Sequence, residues 1–249
     1  MLIGKNKRTL VISDVHGCYD EFNELLTMTD YDSESDQLIL LGDYGDRGPR
    51  SREVIEQVRN LVERHGAIAL RGNHDQMFLD ALLHNKDSGF LRNGGFATIQ
   101  SYCELDFDEY DFDYDRYFDA KADIINRFRQ HIDFLQTLPL YYEDEQRIYV
   151  HAGIDPAVGE NWRAQPPRDF IWIRDAFYNH PVKVGKIVVF GHTPVTKLHE
   201  SANIWFGDDK IGIDGGCCFG RQLNGLEITE AGEYKAYSVV SRMPAIRTS

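Results

Sequence analysis

A short polar turn brings together side chains that could bind metal and phosphate. The sequence Gly-Asp-Tyr-Gly-Asp-Arg-Gly at 42–48 follows four apolar residues and places Asp43, Asp46 and Arg47 within five positions. Two carboxylates and a guanidinium at the end of a buried strand are costly to hold there unless they bind something. Metal ions together with a phosphate group would engage all three, so the turn predicts a site for both.

Other polar turns follow apolar runs elsewhere in the chain and offer ligands of the same kind. Their candidate residues are Asp14, His16, Asn73, His74, His151 and His192. Oxygen and imidazole ligands without a thiolate suit Mn, Fe, Zn or Mg. Two ions about 3.5–4 Å apart need a bridging carboxylate, and Asp43 on the central strand of the first half is the natural bridge. The remaining histidines, His65, His84, His131, His180 and His199, are interpreted as structural.

The elements that must position these turns alternate in the order strand, turn, helix through the first 85 residues. Strands are predicted at 9–14, 36–42 and 67–71, and apolar residues at helical spacing follow each of them. This α/β pattern predicts parallel strands with helices on the faces of the sheet. Ligand sites in such sheets lie at the carboxyl ends of the strands, so the polar turns are expected to meet in one site.

The second half is dominated by β-forming runs. Strands are predicted at 147–151, 186–192, 210–214, 225–229 and 233–240, with the last three antiparallel. Between the halves, residues 104–119 hold eight acidic and six aromatic residues, and an amphipathic helix over 124–135 follows. We expect a partly ordered insertion at about 100–135. It would be either a lid that favours basic peptides or a cap packed through its aromatic side chains.

Composition excludes several classes of protein. A chain of 249 residues with 42% hydrophobic residues can form one large globular domain or two small ones. Because no linker divides it, a single domain over 1–249 is expected. No apolar run approaches the ~18 residues of a membrane span, so no membrane association is expected. The net charge of -13 disfavours a nucleic-acid partner. The four cysteines fit neither a zinc spacing nor a disulfide framework, and no signal peptide is recognised, so a cytoplasmic protein is expected.

Five motifs together resemble those of a known family. They are Asp14-Val-His-Gly, Gly42-Asp-Tyr-Gly-Asp-Arg-Gly, Gly72-Asn-His-Asp, His151-Ala-Gly and Gly191-His. In order and spacing they resemble the calcineurin-like metallophosphoesterases, in the branch of the phosphoprotein phosphatases and closest to short bacterial and bacteriophage members. The likeness extends from about residue 10 to residue 225. It implies an α/β fold with two packed mixed β-sheets flanked by helices, the αββα sandwich of metallophosphoesterases.

The resemblance also implies roles for single residues. Six of them would hold two divalent metal ions: Asp14, His16, Asp43, Asn73, His151 and His192. Manganese is ranked first, and Fe, Zn and Mg stay open. Arg47 and Arg174 would hold the phosphate oxygens, and His74 would protonate the leaving alkoxide while Asp46 orients its ring. A metal-bridging hydroxide would attack phosphorus directly, with no serine or cysteine nucleophile.

The implied activity is hydrolysis of phosphoserine and phosphothreonine in a phosphorylated protein or peptide, and the oligomeric state stays open. A symmetrical dinucleoside tetraphosphate hydrolase is the first alternative, because Asp75 stands where phosphatases of this family usually have glutamate. Those hydrolases often lack the carboxylate that this chain keeps as Asp46. Another phosphoesterase, or a binding module without catalysis, are further alternatives, although no ligand is missing here. Gly45 departs from the family pattern, and neither chemistry nor resemblance explains it.

Overall fold

A computed structural model describes residues 8–103 and 113–245. The strands in the described part are β1 Arg8–Ile12, β2 Asp36–Leu40, β3 Ile68–Ala69, β4 Tyr141–Glu143, β5 Arg147–Val150, β6 Ile187–Phe190, β7 Trp205–Phe206, β8 Lys210–Gly212, β9 Gln222–Ile228 and β10 Tyr234–Val240. The helices are α1 Tyr19–Met28, α2 Ser51–His65, α3 Asn73–His84, α4 Asp87–Phe90, α5 Phe96–Cys103, α6 Tyr114–Arg127, α7 Arg129–Thr137, α8 Asp169–Trp172 and α9 Asp175–Tyr178. Short 3-10 turns cover Pro156–Ala164, Val195–Lys197 and Cys217–Phe219, and a π-turn covers Leu91–Gly95.

These strands form two five-stranded mixed sheets. The first has the order β10-β9-β1-β2-β3, and the second has the order β4-β5-β6-β8-β7. Strands β1, β2 and β3 pair parallel, and so do β5, β6 and β8. The antiparallel pairs are β1 with β9, β9 with β10, β4 with β5 and β7 with β8. The predicted strand–helix alternation of the first half therefore produced the parallel part of the first sheet.

Alternation of side chains along the strands separates three apolar layers. Leu10 and Ile12 of β1 pack with the helices that cover the first sheet, while Val11 points into a cluster shared with Tyr149 and Val189 of the second sheet. The outer face of the second sheet packs on its own aromatic cluster, which includes Trp162. Because every central strand is covered on both faces, the result is the αββα sandwich, which confirms the predicted fold class.

Two details of secondary structure differ from the sequence prediction. The strand expected at 210–214 pairs parallel with β6 and antiparallel only with the two-residue strand β7, which the sequence pattern missed. The helix expected over 124–135 begins earlier and is broken between α6 and α7 at Phe128, whose ring lies 4.9 Å from that of Tyr102. Both differences follow from pairing and packing between distant residues, which local periodicity does not encode.

Most of the acidic and aromatic segment, including residues 104–112, lies outside the described residues. The described helices on either side of it belong to the main core, since Tyr102 on α5 and Tyr117 on α6 are both fully buried in the same apolar cluster. Tyr114 and Phe118 on α6 are exposed. The two alternatives for this segment, lid or cap, therefore stay predictions. In the part of the chain that is described, no helix is long and apolar enough to cross a membrane.

Candidate metal centre

The polar turns after β1, β2, β3, β5 and β6 meet at one end of the two sheets. Backbone hydrogen bonds join neighbouring turns directly: the His16 N–H donates to the Asp43 carbonyl at 2.9 Å, and the Gly191 N–H donates to the His151 carbonyl at 2.8 Å. An added Cβ on Gly72 would overlap the Asp43 carboxylate, so this close approach of two turns requires glycine. The sequence prediction that these turns converge is thus met by the fold.

Backbone strain is concentrated in the same turns. Eight non-glycine residues of the described chain have positive φ, and six of them are predicted site residues: Asp14, His16, Asp43, Asp46, Arg47 and His192. Their φ values lie between 45° and 69°, in the left-handed region that ordinary side chains avoid. Strain of this kind persists where the surrounding structure imposes it, typically at functional sites. The turns therefore hold these side chains in directions that relaxed turns would not give them.

Asp43 occupies the middle of the cluster. Its Oδ2 lies 3.4 Å from His16 Nε2 and also 3.4 Å from His151 Nε2, while its Oδ1 accepts a hydrogen bond from the His74 N–H at 2.9 Å. One carboxylate oxygen thus faces two imidazoles from different sheets. This is the position that a bridging ligand would take.

The hydrogen bonds of these two histidines fix which ring nitrogen has a free lone pair. His16 Nδ1 donates to the Gly45 carbonyl at 2.7 Å, and His151 Nδ1 donates to the Leu41 carbonyl at 3.0 Å. Each Nε2 is therefore an acceptor, and that of His151 faces another acceptor, Asn73 Oδ1, at 3.0 Å. Metal-bound histidines are oriented in this way, by donating the other ring nitrogen to a carbonyl. Two acceptors at this distance fit a cation between them.

His192 completes this side of the cluster. Its ring centre lies 6.1 Å from that of Trp172, and its Nε2 is buried without a hydrogen-bond partner in the described structure. A buried ring nitrogen without a partner is rare and calls for a ligand. His192 also donates its backbone N–H to the Asp14 carboxylate at 3.0 Å, while the Ser13 hydroxyl donates to the same carboxylate.

The charges in the cluster are unfavourable without a cation. Burial raises the pKa of Asp43, and the neighbouring Asp14 and Asp75 carboxylates raise it further. Burial, together with Asp214, likewise raises the pKa of Asp14. Burial lowers the pKa of His151 to about 3, so its imidazole is neutral. Bound divalent cations would reverse the cost of the buried carboxylates and use the neutral imidazoles as ligands.

Two of the three groups of metal-type side chains in the described residues share Asp43, and within each group the ligand atoms lie within 4.8 Å of one another. One set is Asp43, His151 and His192, which matches the expected second metal together with Asn73. The other is His16, Asp43 and His74, in which His74 takes the place that we predicted for Asp14. Groups that can hold metal are thus present, and the donor set fits two hard or borderline cations. The assignment of Asp14 to the first metal stays a prediction.

Arg47 reaches into the cluster from the same turn as Asp43. Its Nη1 lies 2.7 Å from His16 Nε2 and its Nη2 lies 2.8 Å from His74 Nε2, so the guanidinium donates to both imidazoles. A single imidazole lone pair cannot serve a guanidinium and a metal at once. A metal on His16 would therefore free Nη1 of Arg47 for a phosphate oxygen. Arg174, from the connection between α8 and α9, lines the same cavity of about 300 Å³ and donates to the His192 carbonyl at 3.1 Å.

His74 and Asp46 form the predicted pair. His74 Nδ1 lies 2.7 Å from Asp46 Oδ2, and both side chains are buried. Sequence reasoning missed the residue that holds this pair, Thr98 on α5, whose hydroxyl donates to Asp46 Oδ1 at 2.6 Å and accepts from the Asp46 N–H at 2.8 Å. Burial raises the pKa of Asp46 to about 7, while the Thr98 hydrogen bond opposes the rise. No local signal marks Thr98, because it lies 52 residues away in sequence.

Gly45 and Asp75 both shape the site. The sequence offered no explanation for Gly45, and it used Asp75 only to compare families. The Gly45 carbonyl fixes the His16 ring, and a Cβ at Gly45 would lie 3.3 Å from the Thr98 hydroxyl, so a larger residue would press on the group that holds Asp46. The Asp75 carboxylate accepts the N–H groups of Asp43 at 2.9 Å and Tyr44 at 3.1 Å. Asp75 therefore ties the turn after β3 to the turn after β2.

Replacing Thr98 by valine tests the support of Asp46. Valine keeps the shape of threonine but removes the hydroxyl, so the Asp46 carboxylate loses a donor and the Asp46 N–H loses an acceptor. The His74 ring, which Asp46 orients, is then held less firmly. We expect kcat for alkyl phosphates to fall roughly 10- to 100-fold, with a smaller loss for 4-nitrophenyl phosphate, whose leaving group needs less protonation. Thr98→Ser is the matched control and should retain most activity. An equal loss for both substrates would show that Thr98 serves stability alone.

Metal binding is expected to stabilise the protein and to release protons. Saturating Mn²⁺ at 100 times its dissociation constant adds about 2.7 kcal/mol, which corresponds to roughly 5–10 °C in Tm for a chain of this size. Because burial raises the pKa values of Asp14 and Asp43, protons compete with the metal, so its apparent affinity should rise with pH. Calorimetric titration of chelator-treated protein in two buffers of different ionisation enthalpy measures the released protons. Equal affinity at pH 6 and pH 8 would contradict the assignment.

Comparison with known proteins gives a consistent family. The sequence profile described as calcineurin-like phosphoesterase matches residues 7–223. The asymmetrical bis(5'-nucleosyl)-tetraphosphatase PrpE of Bacillus subtilis (strain 168) is 30% identical over 94% of this chain and 95% of its own length. Serine/threonine-protein phosphatase 1 of Salmonella typhimurium is 28% identical over 86% of this chain and 88% of its own. Relatives with both names therefore cover most of the chain.

A solved structure gives the same picture for the fold. The crystal structure of a metallophosphoesterase from Sphaerobacter thermophilus superposes with a TM-score of 0.57 at 20% identity, over 95% of this chain and 89% of the other. At this identity the likeness concerns the fold alone. It places both sheets and their flanking helices in a known arrangement.

Proposed function

The chain belongs to the calcineurin-like phosphoesterase family, and from this premise we propose that it is a two-metal hydrolase whose substrate is a dinucleoside tetraphosphate. Its ligands would be Asp14, His16, Asp43, Asn73, His151 and His192. Manganese is our first candidate for both ions. When bound, two such cations supply an acidified water as nucleophile and neutralise charge on the phosphate oxygens.

One observation carries the reaction class. The candidate ligands His16, Asp43 and His192 line one cavity of about 300 Å³. The same cavity is lined by His74, whose ring contacts Asp46, and by the two arginines. Arg47 and Arg174 approach it from different halves of the chain, so they would hold a phosphoryl group from two sides. Guanidinium groups suit this task because their N–H donors match pairs of phosphate oxygens. Nothing in this arrangement requires a covalent phosphoenzyme.

The choice of substrate is supported by the relatives. The Bacillus subtilis protein, which carries the name of a tetraphosphatase, is alike over nearly the whole of both chains. Asp75 agrees with this choice, because the dinucleotide hydrolases resemble this chain at that position. We rank this substrate above the phosphoprotein that the sequence motifs indicated first.

A phosphorylated protein is the second candidate, and the His74–Asp46 pair favours it. A serine or threonine alkoxide is a strong base and cannot leave without a proton, whereas a nucleotide is a much better leaving group. A buried histidine 2.7 Å from a buried carboxylate is the expected device for an alkoxide. The Salmonella typhimurium relative named as a serine/threonine-protein phosphatase agrees with this candidate. In either case we propose that the enzyme works in the cytoplasm.

One assay compares the two substrates. Chelator-treated protein is supplied with Mn²⁺ and given diadenosine tetraphosphate and a phosphothreonine peptide separately, and kcat/KM is measured for each. Our proposal expects the tetraphosphate to be preferred at least tenfold. Chromatography of the products distinguishes asymmetrical cleavage, which gives ATP and AMP, from symmetrical cleavage, which gives two molecules of ADP. Preference for the peptide would replace the first candidate by the second, and the metal-free protein is the control for contaminating phosphatases.

A further inference from the structure

The cavity over the metal ligands has two basic residues beyond the pair assigned to the phosphoryl group. Lys197 ends the 3-10 turn that follows the His192 turn, and Arg221 follows the 3-10 turn Cys217–Phe219. Both line the same cavity as Arg47 and Arg174. Four basic side chains therefore surround a space of about 300 Å³.

The side chains of Lys197 and Arg221 are unpaired in the described part of the protein. Among the residues that the structure describes, neither the Lys197 ammonium nor the Arg221 guanidinium forms a hydrogen bond or an ion pair. The cavity lining contains two carboxylates, Asp43 and Asp214, and Asp214 is buried and already accepts the Gly216 N–H at 2.9 Å.

Arg221 lines the same cavity as the two arginines that would hold the phosphoryl group. Burial raises the pKa of Asp214, and the charges of Arg47, Arg174 and Arg221 all oppose this rise, so the three guanidiniums act on the same carboxylate. One phosphoryl group is satisfied by two metals and two arginines. Two more cations on the same wall suit a substrate with further anionic groups next to the reacting phosphorus.

An aromatic ring stands beside these cations. Phe219 is half-buried, lines the cavity, and has the Arg47 guanidinium 4.9 Å from its ring centre. Its 3-10 turn is held between Gly216 and Gly220, both in the left-handed conformation with φ of 72° and 76°. An aromatic side chain at the wall of a basic cavity can stack on a nucleobase.

We infer that Lys197, Phe219 and Arg221 form a subsite for the leaving nucleotide, in which the two cations bind the polyphosphate beyond the cleaved bond and the ring stacks on the base. The inference rests on the proposed function, and it adds the residues that would distinguish a nucleoside polyphosphate from a simple phosphate ester. It requires no group outside the described cavity. Nothing in the subsite takes part in bond cleavage.

The test is equilibrium binding, which does not depend on turnover. A methylene-bridged analogue of diadenosine tetraphosphate is titrated calorimetrically into the Mn²⁺-loaded full-length protein, and AMP is titrated as the ligand with a single phosphate. The double variant Lys197→Gln/Arg221→Gln should bind the analogue roughly 10- to 100-fold more weakly, because it loses charge-assisted hydrogen bonds, and should bind AMP within about twofold of the parent. Lys183→Gln, an exposed lysine absent from the cavity lining, is the matched control and should change neither affinity.

Phe219→Leu separates stacking from an effect on Arg47. Its affinity for the analogue should fall, while its affinity for inorganic tripolyphosphate, which has no base, should stay within about twofold of the parent. The inference is overturned if the double variant binds the analogue as tightly as Lys183→Gln, or if it loses AMP to the same extent. Failure of the proposed function is a separate result, namely that the parent binds the analogue but does not hydrolyse diadenosine tetraphosphate in the presence of Mn²⁺.

Discussion

Replacing Asp43 by asparagine is expected to abolish the metal centre while leaving the fold intact. Asp43 Oδ2 lies 3.4 Å from both His16 Nε2 and His151 Nε2, so it is the one oxygen shared by both sets of ligands. Asparagine retains an oxygen for the His74 N–H but offers a neutral amide in place of the bridging carboxylate. The expected loss of several kcal/mol of transition-state stabilisation corresponds to roughly a 10³-fold lower kcat/KM or more.

The thermal stability of the metal-free protein should not fall in this variant, in contrast to its activity. Burial and the neighbouring carboxylates raise the pKa of Asp43, so the charged form is costly in the native metal-free protein at neutral pH. Removing that charge should leave Tm without metal equal to or above that of the parent. The rise of Tm on adding Mn²⁺ should be largely lost. Elemental analysis of the purified variant measures the ions per chain directly.

A second substitution serves as the control for Asp43. Asp14 is expected to bind the first metal only, so Asp14→Asn should retain about one ion per chain where Asp43→Asn retains none or a weakly held one. Two ions in Asp43→Asn would refute the bridging role. Unchanged metal content in Asp14→Asn would instead favour the arrangement in which His74 stands in the first set of ligands.

Replacing His74 by asparagine should keep both ions and lower turnover by roughly 10²–10⁴ where the leaving group needs a proton. The ring of His74 is fixed by Asp46 through Nδ1, and its Nε2 lies beside Arg47, the residue that we expect to hold the phosphate. Asparagine fills part of the space but has no titratable proton to donate. The measurements are kcat for a series of phosphate esters and the metal content of the same preparation.

The dependence on the leaving group makes this prediction specific. Loss of a general acid should steepen the dependence of kcat on leaving-group basicity, so alkyl esters should suffer most and nucleotide leaving groups least. Asp46→Asn should show the same trend with a smaller loss, since it disturbs only the orientation of the ring. A variant of His74 that loses one metal ion would show that the residue is a ligand. The same measurement bears on the two candidate substrates. A large loss of kcat on the tetraphosphate would show that His74 acts as general acid on that substrate too.

The sequence alone predicted where the polar turns lie and which types of ligand they contain. Each strand of the parallel part runs in the same direction, so the residues directly after β1, β2 and β3 must lie at one edge of the sheet. Asp14, Asp43 and Asn73 could therefore be grouped before any tertiary contact was known. The separate roles of Asp43, Asp46 and Arg47 were implied by the family resemblance, whereas the left-handed backbone that directs their side chains is seen only in the structure.

Tertiary structure decided what supports and extends this site. Thr98 lies 52 residues from Asp46, and Arg221 is contributed by a turn near the end of the chain. Local composition does not predict which helix packs over a turn or which loop forms the wall of a cavity. These contacts depend on how the two sheets stack. The periodicity of apolar residues and the direction of the strands predict at which edge of the sheet a ligand residue lies. The partners that orient it, and the wall that selects its substrate, come from residues that only folding brings together.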